Sequence, residues 1–155
     1  MGYEFINKLP TPAEIKEQFP LPLECIAAKA QRDEEIKQVI TGESNKFLVI
    51  IGPCSADNED SVLDYASRLV KIQEETKDKL IIIPRIYTNK PRTTGDGYKG
   101  MLHQPDPEKR PSMADGLHAI RHLHMRVLME TGLSTADEST RIEKFDCRTN
   151  SNYSM

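Results

Sequence analysis

The chain has no tryptophan, hydrophobic residues make up 37% of it, and its mean hydropathy of −0.56 lies on the polar side. No apolar run approaches the roughly 20 residues that a membrane-spanning helix needs. A surplus of positive charge is also missing. Lys and Arg total 21 against 24 Asp and Glu, for a net charge of −3, so no basic field points to nucleic acid or an anionic membrane. Cysteine is scarce. Cys25, Cys54 and Cys147 are odd in number and widely spaced, with no CxxC. That excludes a disulfide framework and leads us to expect reduced thiols in a cytoplasmic setting. The first ten residues, MGYEFINKLP, lack a basic stretch followed by an apolar one, so no signal peptide is expected. Internal repeats are absent, and the Asn152-Tyr153-Ser154 sequon carries no meaning without secretion. What remains is 155 residues, the size of one ordinary domain with a usable core.

Residues 1–45 read as an N-terminal arm and helix. Pro10, Pro12, Pro20 and Pro22 suggest an extended arm, with a short helix, AEIKEQF, between them. Residues 24–40 follow with Ile26, Ala30, Ile36, Val39 and Ile40 near helical spacing. Residues 46–138 read as three β/α units. KFLVIIG (46–52) is a short continuous apolar run ending in glycine, the pattern of a strand buried on both faces. Asp57, Glu59 and Asp60 complement the N-terminus of a helix reaching about Lys77, with Val62, Ala66, Leu69 and Val70 inward. LIIIPRIY (80–87) is a second buried strand, in which Pro84 suggests a bulge. A helix from about Ser112 to Thr131 puts Ile120, Leu123, Val127 and Leu128 on one face, and Gly132 is its C-cap. LSTADE (133–138) is expected as a third strand. Strands alternating with helices imply parallel pairing and an α/β fold. Cys54-Ser55, Arg85 with the 90–100 loop, and Glu138 then fall at strand C-terminal ends, where such folds place their sites.

The loop KPRTTGDGYKG (90–100) contains Gly95-x-Gly97-x-x-Gly100, which matches the dinucleotide fingerprint. The context fails: the strand ends well before Gly95, and the prolines at 105, 107 and 111 rule out a helix directly afterwards. Arg85, Lys90, Arg92, Lys99 and Lys109, with Thr93 and Thr94, offer charge-assisted donors for a doubly anionic small substrate. The residues alone leave a solvated basic loop equally open. Cys54 is either a metal-ligating or nucleophilic thiolate, or a small buried apolar residue. His118 and His122, four apart on a helix, suggest a metal pair, but no third ligand is evident, and with His124 and Arg126 the stretch reads as a solvated polar face. Nothing resembling G-x-S-x-G supports a serine triad.

LPTPAEIKEQFPLP, GPCSADN, PRIYTNKPRTTGDGYKGMLHQPDP and ADGLHAIRHL together resemble class I 3-deoxy-D-arabino-heptulosonate 7-phosphate (DAHP) synthases, across roughly residues 8–138. The resemblance implies a (β/α)8 TIM-type barrel, of which this chain would form the N-terminal part. It implies condensation of phosphoenolpyruvate with erythrose 4-phosphate, a divalent metal ion (Mn, Fe, Co or Zn), and a homo-oligomer in the full-length family. On the same footing Cys54 is a metal ligand. Arg85 and Lys90 grip the phosphate and carboxylate of phosphoenolpyruvate. Pro91, Arg92 and Thr93 belong to the erythrose 4-phosphate clamp, and Glu138 lines the phosphoenolpyruvate pocket. The family's other metal ligands find no counterpart here, and a barrel of this type needs about 250 residues. The expectation is therefore a truncated chain with an unrelated, disordered tail over 139–155. The alternative is an inactive fragment that at most binds phosphoenolpyruvate or pairs with a full-length subunit.

Overall fold

The computed structural model describes residues 8–89, 98 and 100–138. Helix α1 (Pro12–Gln18) starts at the proline-marked arm because Thr11 and Glu14 form a capping box. The Thr11 N–H donates to the Glu14 carboxylate at 2.6 Å, and the Glu14 N–H donates back to the Thr11 hydroxyl at 3.3 Å. Pro12, at the first helical position, gives up only an N–H that has no partner there. α1 packs on the fourth helix, which buries Ile15. Helix α2 (Leu23–Ile40) follows the predicted boundaries, yet Cys25 is its one buried residue, and Leu23, Ile26 and Ile40 are exposed.

Strand β1 (Phe47–Ile51) pairs in parallel with β2 (Leu80–Pro84), in an unbroken register from Phe47 opposite Leu80 to Ile51 opposite Pro84. Helix α3 (Glu59–Thr76) crosses between them, capped by the Asn58 side chain, with Val62, Leu63, Ala66 and Leu69 buried. Helix α4 (Met113–Thr131) is capped by Ser112 and closed by Gly132 in the left-handed conformation (φ 68°), as its sequence predicts. Ile120, Leu123, Val127 and Leu128 are all buried, and α4 packs against α3 around Val62, Ala66 and Ile86. The elements thus form an α/β unit with a small parallel sheet.

Four expectations need correction. β1 is not buried on both faces: Phe47 is 72% and Ile50 56% exposed, because one helix and one partner strand cannot cover it. β2 ends at Pro84 rather than residue 87, with no bulge, since the proline occupies the last paired position. LSTADE forms a single parallel bridge, Arg85 to Ala136, instead of a strand. The far edge of β2 explains this. The buried Gln73 side chain already donates to the Leu80 carbonyl at 3.0 Å and accepts from the Ile82 N–H at 2.7 Å. Pro84 has no N–H to offer. Further along this edge Ala136 takes the Pro84 carbonyl and the Ile86 N–H, at 2.9 and 2.7 Å. The fourth correction is His124. It is 7% exposed rather than part of a solvated face, since Ile120, His124, Val127 and Leu128 share one side of α4.

No helix among the described residues is long and apolar enough to cross a membrane. The expected 139–155 tail and residues 1–7 of the arm lie outside the described residues.

Candidate active site

The C-terminal ends of β1 and β2 meet at Gly52. A Cβ there would stand 1.8 Å from the Arg85 carbonyl oxygen, so only glycine lets the two chains come this close. Pro53 and Cys54 follow, with Cys54 exposed at the mouth. The loop after β1 is tied to the loop after β2 by the Ala56 N–H, which donates to the Tyr87 carbonyl at 2.9 Å. Between them the Ser55 hydroxyl is buried, with no hydrogen-bond partner among the described residues.

Arg85 occupies the centre of the mouth. Its guanidinium donates to the Pro53 carbonyl at 2.8 Å and lies 5.1 Å from the centre of the Tyr87 ring, within cation–π range. A second nitrogen donates to the Glu138 carboxylate. The structure therefore brings Arg85, Glu138 and the Pro53-Cys54 turn together, although Glu138 follows an isolated bridge and not the expected third strand. An arginine held by a carbonyl, a ring and a carboxylate presents a fixed, planar set of donors, which suits a phosphate or carboxylate guest. Burial first, and then the Asp57 carboxylate, push the Tyr98 phenol above its ordinary value.

Lys90, Pro91, Arg92 and Thr93 lie outside the described residues, as do Thr94 and Lys99. The chain leading to them is tightly held. Thr88 and Asn89 are buried, and the Thr88 N–H and hydroxyl both donate to Asp137. Neither Asp137 nor Tyr87 was read from the sequence as part of the site. The available signal was the acidic pair Asp137-Glu138, since neighbours in an extended segment point to opposite sides.

His118 and His122 do not come together on an ion. The His118 ring tilts against Phe19 with centres 5.5 Å apart, whereas His122 Nδ1 lies 3.0 Å from Glu59, which also accepts from Arg126 at 2.9 Å. Among the described residues, no group of three or more His, Cys, Asp and Glu could hold a metal ion. A cavity of about 310 Å³, lined by Arg32, Lys46, Gln73 and Lys77, sits by the start of β2 and contains none of the expected site residues.

Residues 15–147 match the DAHP synthetase I family, a span that begins inside α1 and continues past Glu138. The Phe-sensitive phospho-2-dehydro-3-deoxyheptonate aldolase of Escherichia coli K12 is 35% identical over 133 residues, which is 86% of this chain and 37% of that protein. The phospho-2-dehydro-3-deoxyheptonate aldolase of Haemophilus influenzae is 33% identical over 135 residues, 87% of this chain and 37% of its own length. Among solved structures, the phospho-2-dehydro-3-deoxyheptonate aldolase of Francisella tularensis superposes with a TM-score of 0.79 at 26% identity. It covers 90% of this chain and 40% of its own. The chain thus spans about 37% of the length of the curated relatives it matches. With its β/α order, its glycine-tight strand mouth and a match over most of its length, the chain belongs to the DAHP synthetase I family.

Proposed function

We propose that the Arg85 mouth is part of a site that condenses phosphoenolpyruvate with erythrose 4-phosphate, the first committed step towards aromatic amino acids. One observation carries the reading: Arg85 is held at the strand ends by the Pro53 carbonyl and Glu138, beside Cys54. In this reading Arg85 and Lys90 bind the phosphate and carboxylate of phosphoenolpyruvate, and Glu138 keeps the guanidinium aimed. Pro91, Arg92 and Thr93 hold the erythrose 4-phosphate end. The enol carbon forms a bond to the aldehyde carbon, water adds at the other end of the former double bond, and phosphate leaves. Fixed cationic donors favour this path because they are in place before charge develops on the oxygens. The full enzyme is proposed to be a (β/α)8 barrel that works as a cytoplasmic homo-oligomer, without nucleic acid or membrane partners.

A divalent ion (Mn, Fe, Co or Zn) would polarise the aldehyde in the full enzyme. Cys54 is proposed as one of its ligands. The described residues by themselves do not fit such an ion, since one exposed thiol stands without a second and third ligand.

The short span and the unmatched metal set favour a second reading for the 155-residue chain by itself: it binds phosphoenolpyruvate without turning it over. Calorimetric titration of the purified chain with phosphoenolpyruvate tests the site. Binding is expected, and Arg85→Ala should weaken it at least about tenfold, since a charge-assisted contact is worth about 1.5–3 kcal/mol. Equal affinity in the variant would refute the assignment of Arg85.

A further inference from the structure

Ala136, Asp137 and Glu138 each take a different point on the chain that follows β2. The Ala136 carbonyl accepts from Ile86, the Asp137 carboxylate takes Thr88, and Glu138 takes Arg85. Two of these contacts are accounted for by the bridge and the mouth. Asp137 is not. One of its oxygens accepts from the Thr88 N–H at 3.1 Å and from the Glu138 N–H at 2.7 Å, and the other accepts from the Thr88 hydroxyl. His124 closes the far side, with Nε2 3.9 Å from the carboxylate and Nδ1 2.7 Å from the Thr135 hydroxyl. The Asp137 side chain is 14% exposed, and Thr88 is completely buried.

Placing a carboxylate here costs free energy that a well-packed apolar residue would not, unless the hydrogen bonds fix something useful. What they fix is Thr88. Its N–H and hydroxyl go to Asp137, and its carbonyl accepts from the Leu102 N–H at 3.1 Å. One residue earlier, the Tyr87 carbonyl accepts from Ala56. Thr88 and Leu102 therefore join the chain on either side of residues 90–99, and Asp137 is the anchor of that junction. We infer that Asp137 is a positioning residue: through Thr88 it sets where the chain leaves the strand mouth beside Arg85. Only the link to substrate affinity rests on the phosphoenolpyruvate reading.

The test is amide hydrogen exchange on the intact chain, comparing Asp137→Ala and Asp137→Asn with the parent. The reporters are the Leu102 and Ala56 amides, which bond to Thr88 and Tyr87 rather than to Asp137 itself. Asp137→Ala should speed both at least about tenfold, while Ala66 and Leu69 inside α3 change less than about twofold. Asp137→Asn keeps an acceptor for the Thr88 N–H and should stay within about threefold of the parent at both reporters. Unchanged reporters, an equal shift in α3, or an asparagine variant no better than alanine would each overturn the inference. A parallel phosphoenolpyruvate titration should show affinity falling with Asp137→Ala and recovering with Asp137→Asn. If the parent chain fails to bind phosphoenolpyruvate, the proposed function falls and the exchange result still decides the role of Asp137.

Discussion

Two glycines show how single residues hold this architecture. Alanine normally gains about 1 kcal/mol over glycine inside a helix. At position 116 in α4 its Cβ would stand 2.0 Å from the Leu102 carbonyl oxygen, so the usual preference should reverse. We expect Gly116→Ala and Gly52→Ala each to destabilise the chain by about 1–3 kcal/mol or more, as overpacking against backbone does. Urea denaturation of each variant beside the parent chain checks this. Chemistry at the same scale separates Arg92 from Lys79. Placed in a full-length relative carrying this segment, Arg92→Ala should impair use of erythrose 4-phosphate at least about tenfold more than Lys79→Ala. Steady-state kinetics with that substrate varied decides it, and equal losses would remove Arg92 from the clamp.

At the scale of elements, α1 depends on charge at its start. The Thr11 backbone N–H, first, and then its hydroxyl hold the Glu14 carboxyl below its ordinary value. A lowered carboxylate pKa stabilises the fold fully above the ordinary carboxylate range, and that support is lost as the pH falls through the depressed value. The Ile15 amide, which bonds to the Thr11 carbonyl, should therefore exchange faster, relative to an unstructured peptide, as solutions are acidified. Glu14→Gln should flatten this dependence. Gln73 supports β2 in a comparable way, and Gln73→Leu would orphan the Leu80 carbonyl and the Ile82 N–H. Each orphaned buried group costs about 1–3 kcal/mol, which thermal or urea unfolding would detect.

The helices, β1 and the start of β2 were legible because apolar spacing reports local geometry. α4 could be read to within a residue from Ser112 to Gly132. Burial of β1 was not legible, since FLVII says what the strand could pack against and nothing about what covers it. Pro84 was misread as a bulge because a proline loses its ladder bond equally at a bulge and at a strand end. Glu138 was placed at the end of a third strand that is only an isolated bridge, whereas Cys54 and Arg85 were legible as strand-end residues. Asp137 and His124 were not, because their meeting depends on how α4 and an extended segment rotate against each other. Only the shared spacing of Ile120, His124, Val127 and Leu128 hinted that His124 points inward.

For the whole molecule, the 155 residues should bind better than they catalyse. We expect no measurable synthase activity from the purified chain with manganese, phosphoenolpyruvate and erythrose 4-phosphate, followed by loss of the enolpyruvate absorbance. Among the described residues Cys54 offers one ligand where an ion needs several. Metal-dependent turnover in a preparation free of host synthase would overturn this.

The seal that Gln73, Pro84 and Ala136 place along one side of β2 has a further consequence for colloidal behaviour. Among the described residues no strand lies on the outer side of β1, so the two-stranded sheet has one sticky border and one inert border. Two copies that laid β1 against β1 would each turn outward the side of β2 that Gln73 and Ala136 cover in part, which favours a pair over a running fibril.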